Sequence, residues 1–113
     1  MKVKKNNLKI GDEIVKYVND LKYTYIKVSY SSYVLKQKFL YEKYIGKIPN
    51  GYQVIFLDSN RDNFNLDNLF LVSNNVYYYM RQNHLFFNNK LLTKTFIINT
   101  ELRLKYLKLC KEM

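Results

Sequence analysis

Three carboxylates lie close together in an asparagine-rich segment of this chain. The segment, DSNRDNFNLDN, covers residues 58–68 and contains Asp58, Asp62 and Asp67. Carboxylate oxygens are ligands for hard divalent cations such as Mg²⁺, so Asp58 is a weak candidate for a cation ligand. Asp and Asn side chains also shape tight turns by accepting hydrogen bonds from nearby backbone N–H groups. We favour this structural role for Asp58.

Other metal and nucleophile chemistry is restricted by the scarcity of suitable side chains. The chain has one histidine, His84, and one cysteine, Cys110, so Cys and His alone cannot build a zinc site. A single cysteine also excludes an internal disulfide framework and is typical of a reducing compartment, which favours a cytoplasmic location. No segment approaches the roughly 18 apolar residues of a membrane span, and the basic start of the chain has no apolar core typical of a signal peptide.

The charge of the chain favours a polyanionic partner. Among its 113 residues, 19 are Lys or Arg and nine are Asp or Glu, which gives a net charge of +10. The positive charge is concentrated in residues 1–49 and 76–113, whereas the central residues 50–75 are slightly acidic. Basic flanks of this kind are suited to contacts with phosphate groups, although a solvated lysine surface has the same composition.

The elements that must position these residues can be predicted from local patterns. Two β-propensity segments, at 13–18 and 22–28, flank the turn residues Asn19 and Asp20 and indicate a hairpin. Apolar spacing from Tyr33 to Ile45 predicts a helix that ends at Gly46. Short strands follow at 52–57 and 68–72, then a helix with Ser73 as its N-cap that runs to about Asn83. A final helix, capped by Thr93 or Thr100, occupies the tail at about 91–110.

One part of this arrangement resembles a known family. The run LKQKFLYEKYIGKIPNGYQVIFLDSNRDNFNLDNLFLVSNN is similar to the small phage and prophage HNH endonucleases, and the resemblance extends over roughly residues 12–105. It implies an α+β fold, an HNH-like ββα finger with an N-terminal β-hairpin, a preceding helix and a C-terminal helix. The length of the chain predicts a single domain over residues 1–113, and the resemblance implies a ββα core at about 50–84.

The resemblance implies a set of catalytic positions that this sequence does not fill with catalytic residues. In the family, a histidine at the end of the first strand activates water, and neighbouring side chains hold one Mg²⁺-like cation. Here Phe56 occupies the position of the general base, and Ile55 and Tyr77 occupy those of the metal ligands. Gln37 stands where the preceding helix often has a histidine, and Asn68 retains the asparagine that braces the loop. We expect no catalytic residue and no metal cofactor, and His84 lies too far along the helix to replace the lost base.

Binding groups remain even where cleavage chemistry is missing. The family grips the duplex backbone near the minor groove, and six basic side chains are candidates for phosphate contacts: Lys36, Lys38, Lys43, Lys47, Arg61 and Arg81. The tyrosines 77, 78 and 79 cannot all share one helix face, so we expect one or two to pack in the core. The remainder are candidates for base stacking or for a partner surface.

Three functions are consistent with these features. The favoured one is a catalytically silent, HNH-like nucleic-acid-binding protein of a phage or mobile element. The first alternative is a phage counter-defence effector, an anti-CRISPR-type inhibitor that binds a host nuclease or its guide complex through its tyrosine-rich surface. The second is an active Mg²⁺-dependent HNH nicking endonuclease with a displaced site. The choice between DNA and RNA, the target sequence and the oligomeric state are not determined by the sequence.

Overall fold

In a computed structural model, residues 8–112 are described and form an α+β arrangement of two small sheets and three helices. The first residues of the chain, on which the expectation about a signal peptide partly depends, lie outside the described residues. None of the helices in residues 8–112 combines the length and the apolar character needed to span a bilayer.

The elements follow one another in the order predicted for a ββα finger with additions at both ends. The strands are β1 (Glu13–Val18), β2 (Leu21–Ser29), β3 (Ser32–Leu35), β4 (Tyr52–Phe56) and β5 (Leu69–Ser73). The helices are α1 (Lys36–Tyr44), α2 (Asn74–Gln82) and α3 (Lys90–Glu112), and a 3₁₀ turn at Leu66–Asn68 precedes β5.

The predicted N-terminal hairpin is confirmed and carries a third strand. β1 and β2 are antiparallel with Val18 opposite Leu21, so Asn19 and Asp20 form a two-residue loop. Both loop residues have positive φ, 50° and 64°, which is typical of a type I′ turn and is tolerated best by Asn, Asp and Gly. The side-chain chemistry of these two residues therefore fixes the register of the hairpin.

The helix predicted from Tyr33 begins three residues later than expected. Tyr33, Val34 and Leu35 pair with β2 as part of β3, and α1 begins at Lys36. An aromatic and a β-branched residue suit a strand at least as well as a helix. The unpaired edge of β2 provides backbone partners that an isolated segment does not have, and tertiary pairing therefore overrides the helical periodicity here.

The β4–β5 hairpin is buried on both faces. Val54, Phe56 and Leu69 pack on α1 through Leu40 and Tyr41. On the other face, Ile55, Leu57 and Val72 join the cluster that contains Val76, Met80 and Ile97 of α2 and α3. The pairing of Ile55 with Phe70 and of Phe56 with Leu69 keeps each cluster on its own face.

The two C-terminal helices begin at different types of cap. The Ser73 hydroxyl accepts a hydrogen bond from the Val76 N–H at 3.2 Å, which confirms the predicted N-cap of α2. The cap predicted for α3 is wrong, because Thr93 and Thr100 are buried inside the helix. The Asn89 side chain instead accepts from the Leu92 N–H at 3.0 Å, and the Thr93 hydroxyl donates to the carbonyl of Phe87 at 3.1 Å.

The contact between α2 and α3 gives a direct test of the fold. Ile97 is fully buried against α2, whereas its neighbour Ile98 is 49% exposed. We expect Ile97→Ala to lower the free energy of unfolding by about 2–5 kcal/mol, because it leaves a cavity in the core. Ile98→Ala, the matched control, should change it by less than about 0.5 kcal/mol. Equal losses in urea denaturation would contradict the assigned face of α3.

Candidate functional site

The loop between β4 and β5 is organised by one buried carboxamide. Asn68 is fully buried, and its Oδ1 accepts a hydrogen bond from the Asp58 N–H at 3.0 Å. Its Nδ2 donates to Asp58 Oδ1 at 2.9 Å and to the carbonyl of Asn63 at 3.0 Å. The Asn68 side chain, at the end of the loop, is thus hydrogen-bonded to residues at the beginning and in the middle of the loop. Asn68 occupies the bracing position that the resemblance implies.

Asp58 completes this loop brace, the hydrogen-bonded set of Asp58, Asn60, Asn63 and Asn68. Its Oδ1 also accepts from the Asn60 N–H at 2.9 Å, and its Oδ2 accepts from Asn63 Nδ2 at 2.8 Å. Partial burial tends to raise the pKa of Asp58, but the three hydrogen bonds to the ionised form outweigh it, so the pKa lies below its ordinary value. The Asp58 carboxylate therefore shapes an Asx turn, in which Oδ1 accepts a hydrogen bond from the N–H two residues later.

The other two carboxylates of the loop are paired with lysines from other elements. Asp62 accepts from Lys22 Nζ at 2.6 Å, and Asp67 accepts from Lys90 Nζ at 3.1 Å. The bond to Asp62 raises the pKa of Lys22. Within residues 8–112, no three Asp, Glu, His or Cys side chains converge as a metal site would require. The loop carboxylates therefore stabilise the loop and its attachment to the neighbouring elements.

A groove of about 580 Å³ runs beside β4 and brings together the four positions at which the resemblance implies catalytic or metal-binding residues. Gln37, Ile55, Phe56 and Tyr77 all line it, although they come from α1, β4 and α2. Residues separated by forty positions in the sequence thus meet at one site, as the resemblance implies. We refer to this space as the β4 groove.

The side chains at these positions do not fit a divalent cation. Ile55 and Phe56 are both 6% exposed and supply only hydrocarbon. Tyr77 packs against Phe86 with ring centroids 5.5 Å apart, and a phenol is not among the carboxylate, carbonyl and water ligands that suit Mg²⁺. His84 follows α2 with a φ of 54° and is not among the residues that line the groove. We derive no catalytic step through a metal.

The β4 groove is positively charged. Lys38, Arg61 and Arg81 line it, and none of the residues that line it carries a carboxylate. The Arg61 guanidinium lies 4.4 Å from the ring centroid of Tyr23 and donates through Nε to the carbonyl of Lys22. Arg81 Nη1 donates to the Tyr77 hydroxyl at 3.3 Å. Three of the six predicted phosphate-binding side chains therefore meet at this groove.

The other three predicted basic residues differ in their surroundings. Lys36 forms an ion pair with Glu13 at 3.0 Å and lies 4.5 Å from the ring centroid of Phe64, so its charge is already partnered. Lys43 lies near the rings of Phe39 and Tyr44, and Lys47 is exposed beyond the end of α1. Neither Lys43 nor Lys47 lines the groove.

The three consecutive tyrosines of α2 point in different directions. Tyr77 is half-buried against the core cluster that contains Met80. Tyr78 is 61% exposed, and Tyr79 is half-buried near the Arg103 guanidinium. Tyr78 and Tyr79 line a second, shallower depression against α3. The three tyrosines therefore contribute to two different surfaces, since Tyr77 lines the β4 groove.

Tyr23 lines the groove, whereas the sequence leaves core packing, base stacking and a partner surface open for it. It is one of two tyrosines that share a face of β2, with no signal in the sequence to distinguish it from Tyr25. Its position follows from the pairing of Arg61 with β2, a contact between residues almost forty positions apart. Only the tertiary arrangement identifies it.

Comparison with known proteins supports the resemblance. Residues 34–76 match the sequence model of the HNH endonuclease family. The matched segment contains α1, the β4–β5 hairpin and the loop brace, and it ends one residue before Tyr77. No curated protein and no solved structure matches the chain.

The loop brace predicts a large effect for a single substitution. Asn68→Ala leaves the Asp58 N–H and the Asn63 carbonyl without these partners and removes one of the three hydrogen bonds to the Asp58 carboxylate. We expect it to lower the free energy of unfolding by about 2–4 kcal/mol, since each unsatisfied buried group costs about 1–3 kcal/mol. The matched control is Asn65→Ala, which removes an exposed side chain of the same loop and should change stability by less than about 0.5 kcal/mol. If both variants lower the free energy of unfolding by a similar amount, the hydrogen bonds of Asn68 do not stabilise the loop more than an exposed side chain does.

The lowered pKa of Asp58 predicts a specific dependence of stability on pH. Because the pKa is lower in the folded than in the unfolded state, ionised Asp58 stabilises the fold above its ordinary pKa of about 4. This contribution is lost as the pH falls through the folded-state value. The stability advantage of the wild type over Asp58→Asn should therefore shrink in urea titrations between about pH 6 and about pH 3. Asn68→Ala should weaken this dependence, and an advantage that does not change with pH would contradict the assignment.

Proposed function

We propose, from the match of residues 34–76 to the sequence model of the HNH endonuclease family, that the protein binds nucleic acid on the family scaffold without cleaving it. The observation that supports this most strongly is the content of the β4 groove. The groove retains three cations, but hydrocarbon and phenol occupy the positions where the family has its base and metal ligands.

The expected loss of rate is large. A general base typically contributes 10²–10⁴-fold to a reaction of this kind. A divalent cation stabilises the charge that develops on the phosphate and on the leaving oxygen. Buried Ile55 and Phe56 can neither accept a proton from water nor bind a cation. We therefore infer that the scaffold retains its binding function and lacks the reactive groups for hydrolysis.

Binding would depend on phosphate contacts from several elements. Lys38, Arg61 and Arg81 surround the β4 groove, and Lys43 and Lys47 lie along and beyond α1. Lys36, because it is paired with Glu13, is the least available member of the set. The resemblance to phage and prophage proteins supports an origin in a phage or mobile element.

The exposed face of α3 favours the counter-defence function as a second candidate. Leu91, Ile98, Leu102 and Leu109 recur at seven- and four-residue intervals and are 49–76% exposed. Such a stripe is typical of a surface that packs on another protein. Under this candidate, Leu102→Glu would abolish inhibition of a host nuclease while leaving nucleic-acid binding unchanged.

The proposed function predicts a steep dependence of affinity on salt. If about six phosphates are neutralised, the logarithm of the association constant for duplex DNA should fall with the logarithm of salt concentration at a slope of about −5. The double variant Lys38→Gln with Lys47→Gln should reduce this slope by about 2, since each phosphate contact contributes about 0.9. Lys105→Gln with Lys108→Gln removes the same charge from α3 and serves as the control. An equal change in both double variants, or no binding at low salt, would contradict the proposed surface.

A plasmid assay tests the absence of cleavage. We expect supercoiled plasmid to stay intact with Mg²⁺ or Mn²⁺ at protein concentrations that bind it fully, because Ile55 and Phe56 supply no base and no ligand. Nicking that is abolished both by EDTA and by Asp58→Ala would refute catalytic silence. It would instead support a nuclease with a displaced site that includes Asp58.

A further inference from the structure

The open edge of β4 lies in the β4 groove. The second sheet has only two strands, so one edge of β4 has no partner strand within the described part of the chain. The Leu57 N–H and the Gly51 carbonyl bond toward the β5 side. Because alternate residues of an antiparallel ladder bond to the partner, Val54 directs its N–H and C=O away from β5. A hydrogen-bond donor and an acceptor therefore face the groove at Val54.

A buried side chain without a partner also borders this space. Gln37 is only 6% exposed and lines the groove, yet its carboxamide makes no hydrogen bond to any residue in 8–112. No fully buried side-chain N or O atom of the described residues lacks a bond. The Gln37 carboxamide must therefore reach open space, and the groove is the space that it borders. A buried amide without a partner is unfavourable unless water or a ligand satisfies it.

Aromatic and cationic side chains complete the same site. The Tyr23 ring with its stacked Arg61 comes from β2 and the loop, and Tyr77 with Arg81 comes from α2. The groove volume of about 580 Å³ lies in the range of small-molecule sites. Its lining combines flat apolar surfaces, amide donors and acceptors, and three cations without a carboxylate.

We propose that the β4 groove binds one unpaired nucleotide of a single-stranded nucleic acid. The base lies against the free edge of β4, where the Gln37 carboxamide and the Val54 backbone meet its polar edge. Tyr23 or Tyr77 contacts its face, and the adjoining phosphates contact Lys38, Arg61 and Arg81. Stacking on an aromatic ring is possible for every base, whereas hydrogen bonds to the base edge favour some bases over others.

This inference rests on the proposed function and makes it more specific. Backbone contacts alone allow a duplex to bind over the basic surface, whereas the groove requires a base that is not paired. The groove positions correspond to those that hold catalytic groups in the family, but the chemistry assigned here is recognition of a base.

The test uses the full chain in EDTA with a 12-nucleotide strand that carries 2-aminopurine at its centre. Single-stranded DNA, single-stranded RNA of the same sequence and the corresponding DNA duplex are compared by anisotropy and by 2-aminopurine fluorescence. Binding of either single strand should alter the 2-aminopurine fluorescence, because the base moves into an aromatic environment. The DNA and RNA arms show which strand provides the nucleotide.

Gln37→Leu is the informative variant, and Gln82→Leu is its matched control outside the groove. Leucine has a similar size and needs no hydrogen bond, so the melting temperature of Gln37→Leu should not fall. We expect it to weaken single-strand binding by about 3- to 10-fold, as the loss of one or two hydrogen bonds implies, and to leave duplex binding unchanged. Gln37→Glu introduces a carboxylate into the groove and should weaken single-strand binding further.

The outcomes separate the two proposals. If the protein binds the duplex and the 2-aminopurine fluorescence does not change on binding, the groove proposal is overturned and the proposed function stays intact. The same conclusion follows if the Gln37 variants bind single strands as tightly as the wild type. No binding to any strand overturns both proposals. Binding of an acidic peptide along β4, in place of either strand, would identify the free edge as a peptide site and also overturn the proposal.

Discussion

The carboxamide of Asn68 holds the loop on which the ββα arrangement depends. Its oxygen accepts from one end of the loop, and its nitrogen donates both to that end and to the middle. An aspartate cannot replace it, because a carboxylate has no hydrogen to donate. With Asp58 held beside Asn68, the Leu57 N–H meets the Asn68 carbonyl at 2.8 Å, and the pairing of Phe56 with Leu69 follows. The register of the hairpin, and with it the distribution of side chains between two cores, is therefore set in the loop.

Burial on both faces explains why hydrocarbon is well accommodated at Ile55 and Phe56. One side chain extends the cluster beneath α2 and α3, and the other extends the cluster beneath α1. Each buried side chain of this size contributes about 1.5–3 kcal/mol relative to exposure. A histidine at either position would give up part of this contribution and would need polar partners. Ile55 and Phe56 thus line the groove and are also part of the two core clusters.

The fold was predictable where local chemistry decides the structure. The turn at Asn19 and Asp20 and the hydroxyl cap at Ser73 depend on neighbouring residues only, and the sequence predicts both. The start of α1 is predicted incorrectly, because Tyr33 to Leu35 follow a helical spacing and are drawn into a strand by the edge of β2. The cap predicted for α3 is wrong, since Thr93 is a good cap by type but is buried within α3, where its hydroxyl bonds to the backbone of Phe87. The site was reached through family resemblance, whereas Tyr23 and the free Gln37 carboxamide became evident only from the packing of distant segments.

The loop brace and the groove lining share no side-chain hydrogen bond. The side-chain hydrogen bonds of Asn68 and Asp58 stay within residues 58–68. A substitution of Gln37, Ile55 or Tyr77 removes none of these hydrogen bonds. The side chains that line the groove can therefore change in small steps while the hydrogen bonds of the loop stay in place. Inheritance of the loop therefore does not by itself require inheritance of the side chains beside β4.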